Sequence, residues 1–130
     1  VRRAALASLL LAAALPAAAA DMLSGRYRPA GEQAAPDAPD APAPLRVESS
    51  GDGWTAWFEG QPQPMQEMGR DGLEKLFPRG GSEVQCGATQ SVVFCHVAPG
   101  TPLPDSDAVS TTGYFTADAN GGIYELERQP

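Results

Sequence analysis

Beyond residue 20, proline and glycine punctuate this chain so densely that no long element can form: twelve prolines and fourteen glycines fall in 110 residues, roughly a quarter of them. Proline lacks the N–H that a helix interior requires, and glycine weakens helix and strand interiors alike. A helical bundle and a doubly wound α/β fold both depend on long periodic segments and are therefore disfavoured. Aliphatic residues are scarce as well, since Leu, Ile, Val and Phe together number 17 of those 110. One small domain is the most that such a chain can bury. The expected fold is mainly β: a small antiparallel sheet, sandwich or barrel of about six to seven short strands with one short helix.

The opening twenty residues read as an export signal: Arg2 and Arg3 supply positive charge, Leu6 to Leu15 the apolar stretch, and Ala18 to Ala20 the small-residue cleavage site before Asp21. The apolar run is too short to span a bilayer, so stable membrane insertion is not expected. The expected location is secreted or periplasmic, after cleavage near Ala20. Removal of that leader leaves seven Lys and Arg against sixteen Asp and Glu, a formal charge of −9. Such a chain repels nucleic acid and anionic membranes and is steered toward a basic partner.

Export also assigns the two cysteines. Cys86 and Cys95 are expected to form one disulfide, because thiols in an oxidising compartment pair. Eight intervening residues fit neither a C-x-x-C redox motif nor a zinc knuckle. Closing a loop of about ten residues is worth roughly 2.7 kcal/mol in the chain-entropy description. His96, the only histidine, is expected to be either solvated or at a hairpin edge.

Segment by segment, residues 21–28 contain one N-terminal strand, with Leu23, Gly25 and Tyr27 alternating against Ser24, Arg26 and Arg28. Residues 29–44, with five prolines and six alanines, read as a flexible linker or long loop of polyproline character. Residues 45–130 form the small β domain. Around Asp52-Gly53 two alternating runs predict a hairpin that sets Val47 opposite Phe58 and Ser49 opposite Ala56, with Arg46–Glu59 and Glu48–Trp57 on the other face. Around Asn120-Gly121 the same device sets Phe115 opposite Leu126 and Ala117 opposite Tyr124, with Thr116–Glu125 and Tyr114–Glu127 on the reverse. A third hairpin pairs Cys86 with Cys95 and Val84 with Val97, leaving Val93 on the same side. Asp71 and Glu74 have capping-box spacing, predicting a helix over 71–77 that ends at Pro78 and presents Leu73, Leu76 and Phe77 on one face.

Chemistry-bearing motifs are sparse. Asp118, Asn120, Gly121 and Glu127 fall at EF-hand spacings, but Thr116 stands where the first carboxylate is required and the flanks alternate as strands do. No G-x-S-x-G, P-loop or dinucleotide fingerprint is present, and His96 is the only base of the usual kind. No metal, cofactor or catalytic activity is expected. The reading that remains is an exported acidic non-enzymatic protein-binding module, such as an inhibitor or immunity factor against a cationic exported enzyme. Its partner site is expected at two exposed rings bordered by acids, Trp57 with Glu48 and Tyr114 with Glu127. The alternatives are a small-molecule or lipid carrier with a small β-barrel cavity, and a structural envelope component.

Overall fold

A computed structural model describes residues 21–31, 44–80 and 83–130. The expected leader, and residues 32–43 of the expected linker, lie outside the described residues. Eight strands follow one another: β1 (Gly25–Pro29), β2 (Leu45–Ser50), β3 (Gly53–Phe58), β4 (Gln61–Glu67), β5 (Gln85–Ala88), β6 (Val92–His96), β7 (Tyr114–Asp118) and β8 (Ile123–Gln129). Among the described residues one helix, α1 (Arg70–Leu76), lies between β4 and β5. Every strand pairs antiparallel with the next, and β8 returns to β1, so the sheet closes into a barrel. This is the mainly β antiparallel fold that the sequence implies, with one strand more than the six or seven expected.

The additional strand is β4, whose Gln61-Pro62-Gln63-Pro64 run argues against a strand when read locally. It pairs with β3 along five positions, from Trp54↔Met65 to Phe58↔Gln61. On its other side it meets β5 through only two, Gln66↔Ala88 and Glu67↔Gly87. Gly87 is required in this narrow seam, because a Cβ there would stand 2.7 Å from Cγ of Met65.

Alternation along the strands divides the apolar residues between two cores. Inside the barrel lie Leu23, Tyr27, Leu45, Val47, Trp54, Ala56, Met65, Phe94 and Leu126, with Phe58 and Tyr114 packed against them. Outside the β5–β8 wall, a second cluster joins the disulfide, Val97, Phe115 and Leu103 to Phe77 at the end of α1. Strand β6 serves both, with Phe94 turned inward and Val93 and Cys95 outward. The barrel interior is filled by its own side chains: the Tyr27 and Phe94 rings meet edge-on at 4.8 Å, and Tyr114 lies 5.0 Å from Tyr27.

Of the three expected hairpins, the cysteine hairpin has the register predicted. Cys86 faces Cys95 and the sulfurs are bonded at 2.02 Å. The β2–β3 register differs by one step of the loop. Ser50 pairs with Gly53, so the loop is Gly51-Asp52 and Gly51 takes the positive φ of 60°. Gly53 is needed within the strand instead, where a Cβ would stand 2.5 Å from the Met65 carbonyl oxygen. The change preserves the faces but alters the partners: Val47 faces Ala56, Arg46 faces Trp57, and Glu48 faces Thr55 rather than Trp57.

The β7–β8 register differs more deeply. Its loop has three residues, ending at Gly121 with φ 85°, and Asp118 closes it by accepting hydrogen bonds from the amides of Asn120 at 2.9 Å and Gly122 at 2.8 Å. Phe115 therefore faces Glu125 and Ala117 faces Ile123. A one-residue slip exchanges the faces of a strand pair. Phe115 accordingly belongs to the outer cluster, Leu126 to the barrel interior, and Tyr114 turns away from Glu127. The helix begins at Arg70 with Gly69 as its N-cap and no capping side chain, so Asp71 lies in the first turn and does not form the expected box.

Candidate functional site

The outer face of β2–β4 carries the most developed side-chain arrangement directed at solvent. Alternation places Trp54, Ala56 and Phe58 on the core side of β3 and leaves Thr55 and Trp57 outside. Arg46 stands directly across from Trp57, its guanidinium carbon 4.0 Å from the ring centroid. A guanidinium over an indole face is attracted by the ring quadrupole. Glu48, two residues along the same face, holds the guanidinium from its other side, Nη1 to Oε1 at 3.2 Å. The two charged side chains retain 41% and 56% of their exposure, so the pair contributes little to stability.

On the opposite flank of Trp57 stands Pro62, and beside it Pro64 opposite Thr55, both exposed. The result is a flat strip of indole, guanidinium and two pyrrolidine rings, with one carboxylate at its margin. Such a surface is suited to contact.

Tyr114 and Glu127, expected to form a second such pair, are not brought together. The Tyr114 ring packs at one end of the barrel against Tyr27, Phe94 and His96, 4.8 Å from the imidazole, while its hydroxyl accepts a hydrogen bond from Nη1 of Arg128 at 3.4 Å. Glu127 is exposed on the other side of β8, across from Arg28 of β1. The large apolar or aromatic side chains that are exposed among the described residues are Val109 and Tyr124, the latter at 50%. The expected register sets Tyr124 opposite Ala117; it faces Thr116 instead.

The same end of the barrel holds the titratable groups with displaced pKa values. Burial raises the Tyr27 hydroxyl, which donates to the Leu23 carbonyl at 2.6 Å. Burial also lowers His96, which stands half-buried at the hairpin edge, at the end of β6. The hydrogen bond to Tyr114 raises Arg128, whose Nη2 donates to the Ser24 carbonyl at 2.8 Å. Burial opposes the charge on Asp21, but hydrogen bonds from Ser24, Trp54 and Leu23 outweigh it and hold the carboxyl below its ordinary value. These contacts fasten residues 21–24 across the end of the barrel.

Among the described residues, no three His, Cys, Asp or Glu side chains are grouped so as to hold a metal ion, and no helix is long and apolar enough to cross a membrane. Asp118, at the third position of the EF-hand-like spacing, is engaged by its own turn. Compared with known proteins, the chain matches no protein family, no curated protein and no solved structure.

Proposed function

We propose that this protein is an exported, acidic, non-catalytic protein-binding module that engages a basic partner, such as a cationic exported enzyme it inhibits, through the outer face of β2–β4. The observation that carries the reading is the Arg46 guanidinium stacked at 4.0 Å on an outward Trp57 and tied to Glu48. Tryptophan and arginine are the residues most enriched among those that dominate binding energy at interfaces. Here both are held in place before any partner arrives, which lowers the entropy lost on association. The strip itself is nearly neutral, since Arg46 and Glu48 offset one another. The attraction for a basic partner comes from the chain as a whole, whose formal charge is −7 even with the leader counted.

The disulfide and the leader-like opening residues support export. A carrier that encloses its ligand deep within the barrel is less well supported, because the middle of the interior is occupied by Tyr27, Phe94, Met65 and their neighbours.

The test is capture of partners from periplasmic extract by the processed protein, followed by kinetics with Trp57→Ala and Glu48→Gln. Trp57→Ala should speed dissociation, with a loss on the order of 2 kcal/mol, while thermal stability changes little. Glu48→Gln should slow association at low salt and lose that effect as salt is raised. Unchanged binding by Trp57→Ala in a folded protein would exclude this face as the contact.

A further inference from the structure

At the end of the barrel opposite residues 21–24, β1 leaves, β2 enters and β3 turns toward β4. Here the wall opens into an apolar cavity of about 240 Å³. Leu45, Phe58 and Leu126 form its sides, and Pro29 and Pro44 its lip. Its floor is the buried Tyr27, so the cavity is a dead end and does not run through the barrel. Among the described residues that line it, Glu59 is the one charged residue, and none is a lysine or arginine.

We propose that this mouth is a binding site for small aromatic or short-chain primary amines. Size sets the apolar part of the ligand: a dry apolar cavity of about 150 Å³ accepts benzene, so this one takes a single ring with a short side chain. Charge sets the polar part, because the ammonium group would meet Glu59 at the rim, whereas a carboxylate would meet it as a like charge with no basic group among the described lining residues to offset it. The rim is also fixed. Glu59 holds a positive φ of 51°, a conformation costly for a residue with a side chain, and its amide donates to the Pro44 carbonyl at 2.8 Å. This contact ties the β3–β4 turn to the start of β2 and gives the carboxylate a defined origin beside the cavity. The site lies apart from the Trp57 strip and does not depend on the protein-binding reading.

Methyl and aromatic NMR spectra of the full-length protein test it, with three probes of one shape: 2-phenylethylamine, 2-phenylethanol and phenylacetate. The amine and the alcohol should shift the Leu45 and Leu126 methyl signals and the Phe58 ring saturably. The amine should bind about two- to five-fold more tightly than the alcohol, as expected for one exposed ion pair, and phenylacetate most weakly. Glu59→Gln lies on the surface and leaves the apolar walls intact; it should reduce the amine to the affinity of the alcohol and leave the alcohol unchanged. Absence of saturable shifts at Leu45 and Leu126, shifts centred elsewhere on the protein, or equal affinity for all three probes would overturn the assignment.

Discussion

Replacing Asp21 by alanine should destabilise the barrel out of proportion to the exposure of that residue. Oδ1 of Asp21 accepts hydrogen bonds from the Leu23 amide at 3.0 Å, the Ser24 amide at 3.1 Å and Nε1 of Trp54 at 3.0 Å, and Oδ2 accepts one from the Ser24 hydroxyl. The two amides lie in a local turn and can turn to water, so their loss resembles that of a helix cap, about 0.5–1 kcal/mol. The indole N–H differs, because Trp54 is only 8% exposed and belongs to the barrel core. Leaving a buried donor unsatisfied costs about 1–3 kcal/mol. The sum is about 2–3 kcal/mol, which lowers the melting temperature of a domain this size by roughly 8–20 °C.

Urea denaturation followed by far-ultraviolet circular dichroism of the wild type, Asp21→Ala, Trp54→Phe and the double variant isolates the indole bond. The double variant should cost about 1 kcal/mol less than the sum of the single ones, since each single change already removes that bond. Strict additivity, or a cost for Asp21→Ala below about 0.5 kcal/mol, would show that residues 21–24 rest on the barrel without being bonded into it. The sign with pH follows from the lowered carboxyl. Stability from Asp21 is present above the ordinary aspartate range and is lost as pH falls through the lower value of the folded state, so Asp21→Ala should flatten that part of the acid limb.

Two further outcomes are expected. Replacing Cys86 and Cys95 together by alanine should cost roughly 2.7 kcal/mol by loop entropy and lower the melting temperature by about 10–20 °C; free thiols in native exported protein would contradict the bond. His96 is held neutral by burial, with Arg128 acting in the same direction and Glu83 and the Gly113 carbonyl opposing it. Its contribution is therefore complete above the unfolded value of about 6.5 and is lost as pH falls from there toward the lower folded value, with a slope of at most about 1.4 kcal/mol per pH unit. His96→Gln should abolish the difference in melting temperature between pH 7 and pH 5.5 that this titration produces, and an imidazole that titrates at or above its ordinary value by NMR would refute the assignment.

What could be read from the sequence depended on how firmly each hairpin was pinned. The cysteine hairpin was legible because a disulfide admits one register, and Val84, Val93 and Val97 then shared a side. The Gly51-Asp52-Gly53 run offers two loops that differ by one step, and the choice is made by Met65 of β4, a residue no local pattern connects to it. In the last hairpin the Asp118 carboxylate, by bonding two loop amides, converts a two-residue loop into a three-residue one and reverses the faces. For this reason Trp57 could be placed outward from alternation alone, while Tyr114 could not. Barrel closure rests on the pairing of Arg26 with Gln129 and its neighbours, across more than a hundred residues, and periodicity carries no information at that range. The mouth cavity likewise gathers residues from five strands and leaves no motif.

The prolines of β4 have a consequence for how copies of this protein behave toward one another. A fully closed barrel exposes no strand margin, yet β4 meets β5 through only two residue pairs, and most of its length on that side lies beyond them. Such a margin would ordinarily invite an extended segment of another molecule to zip onto it, the first step toward swapped dimers and fibrils. At positions 62 and 64 there is no amide hydrogen to offer an incoming strand. The residues that concealed β4 from pattern reading are therefore those that keep the seam from becoming a template, and a chain with alanine at both positions would be the one to watch for slow polymerisation.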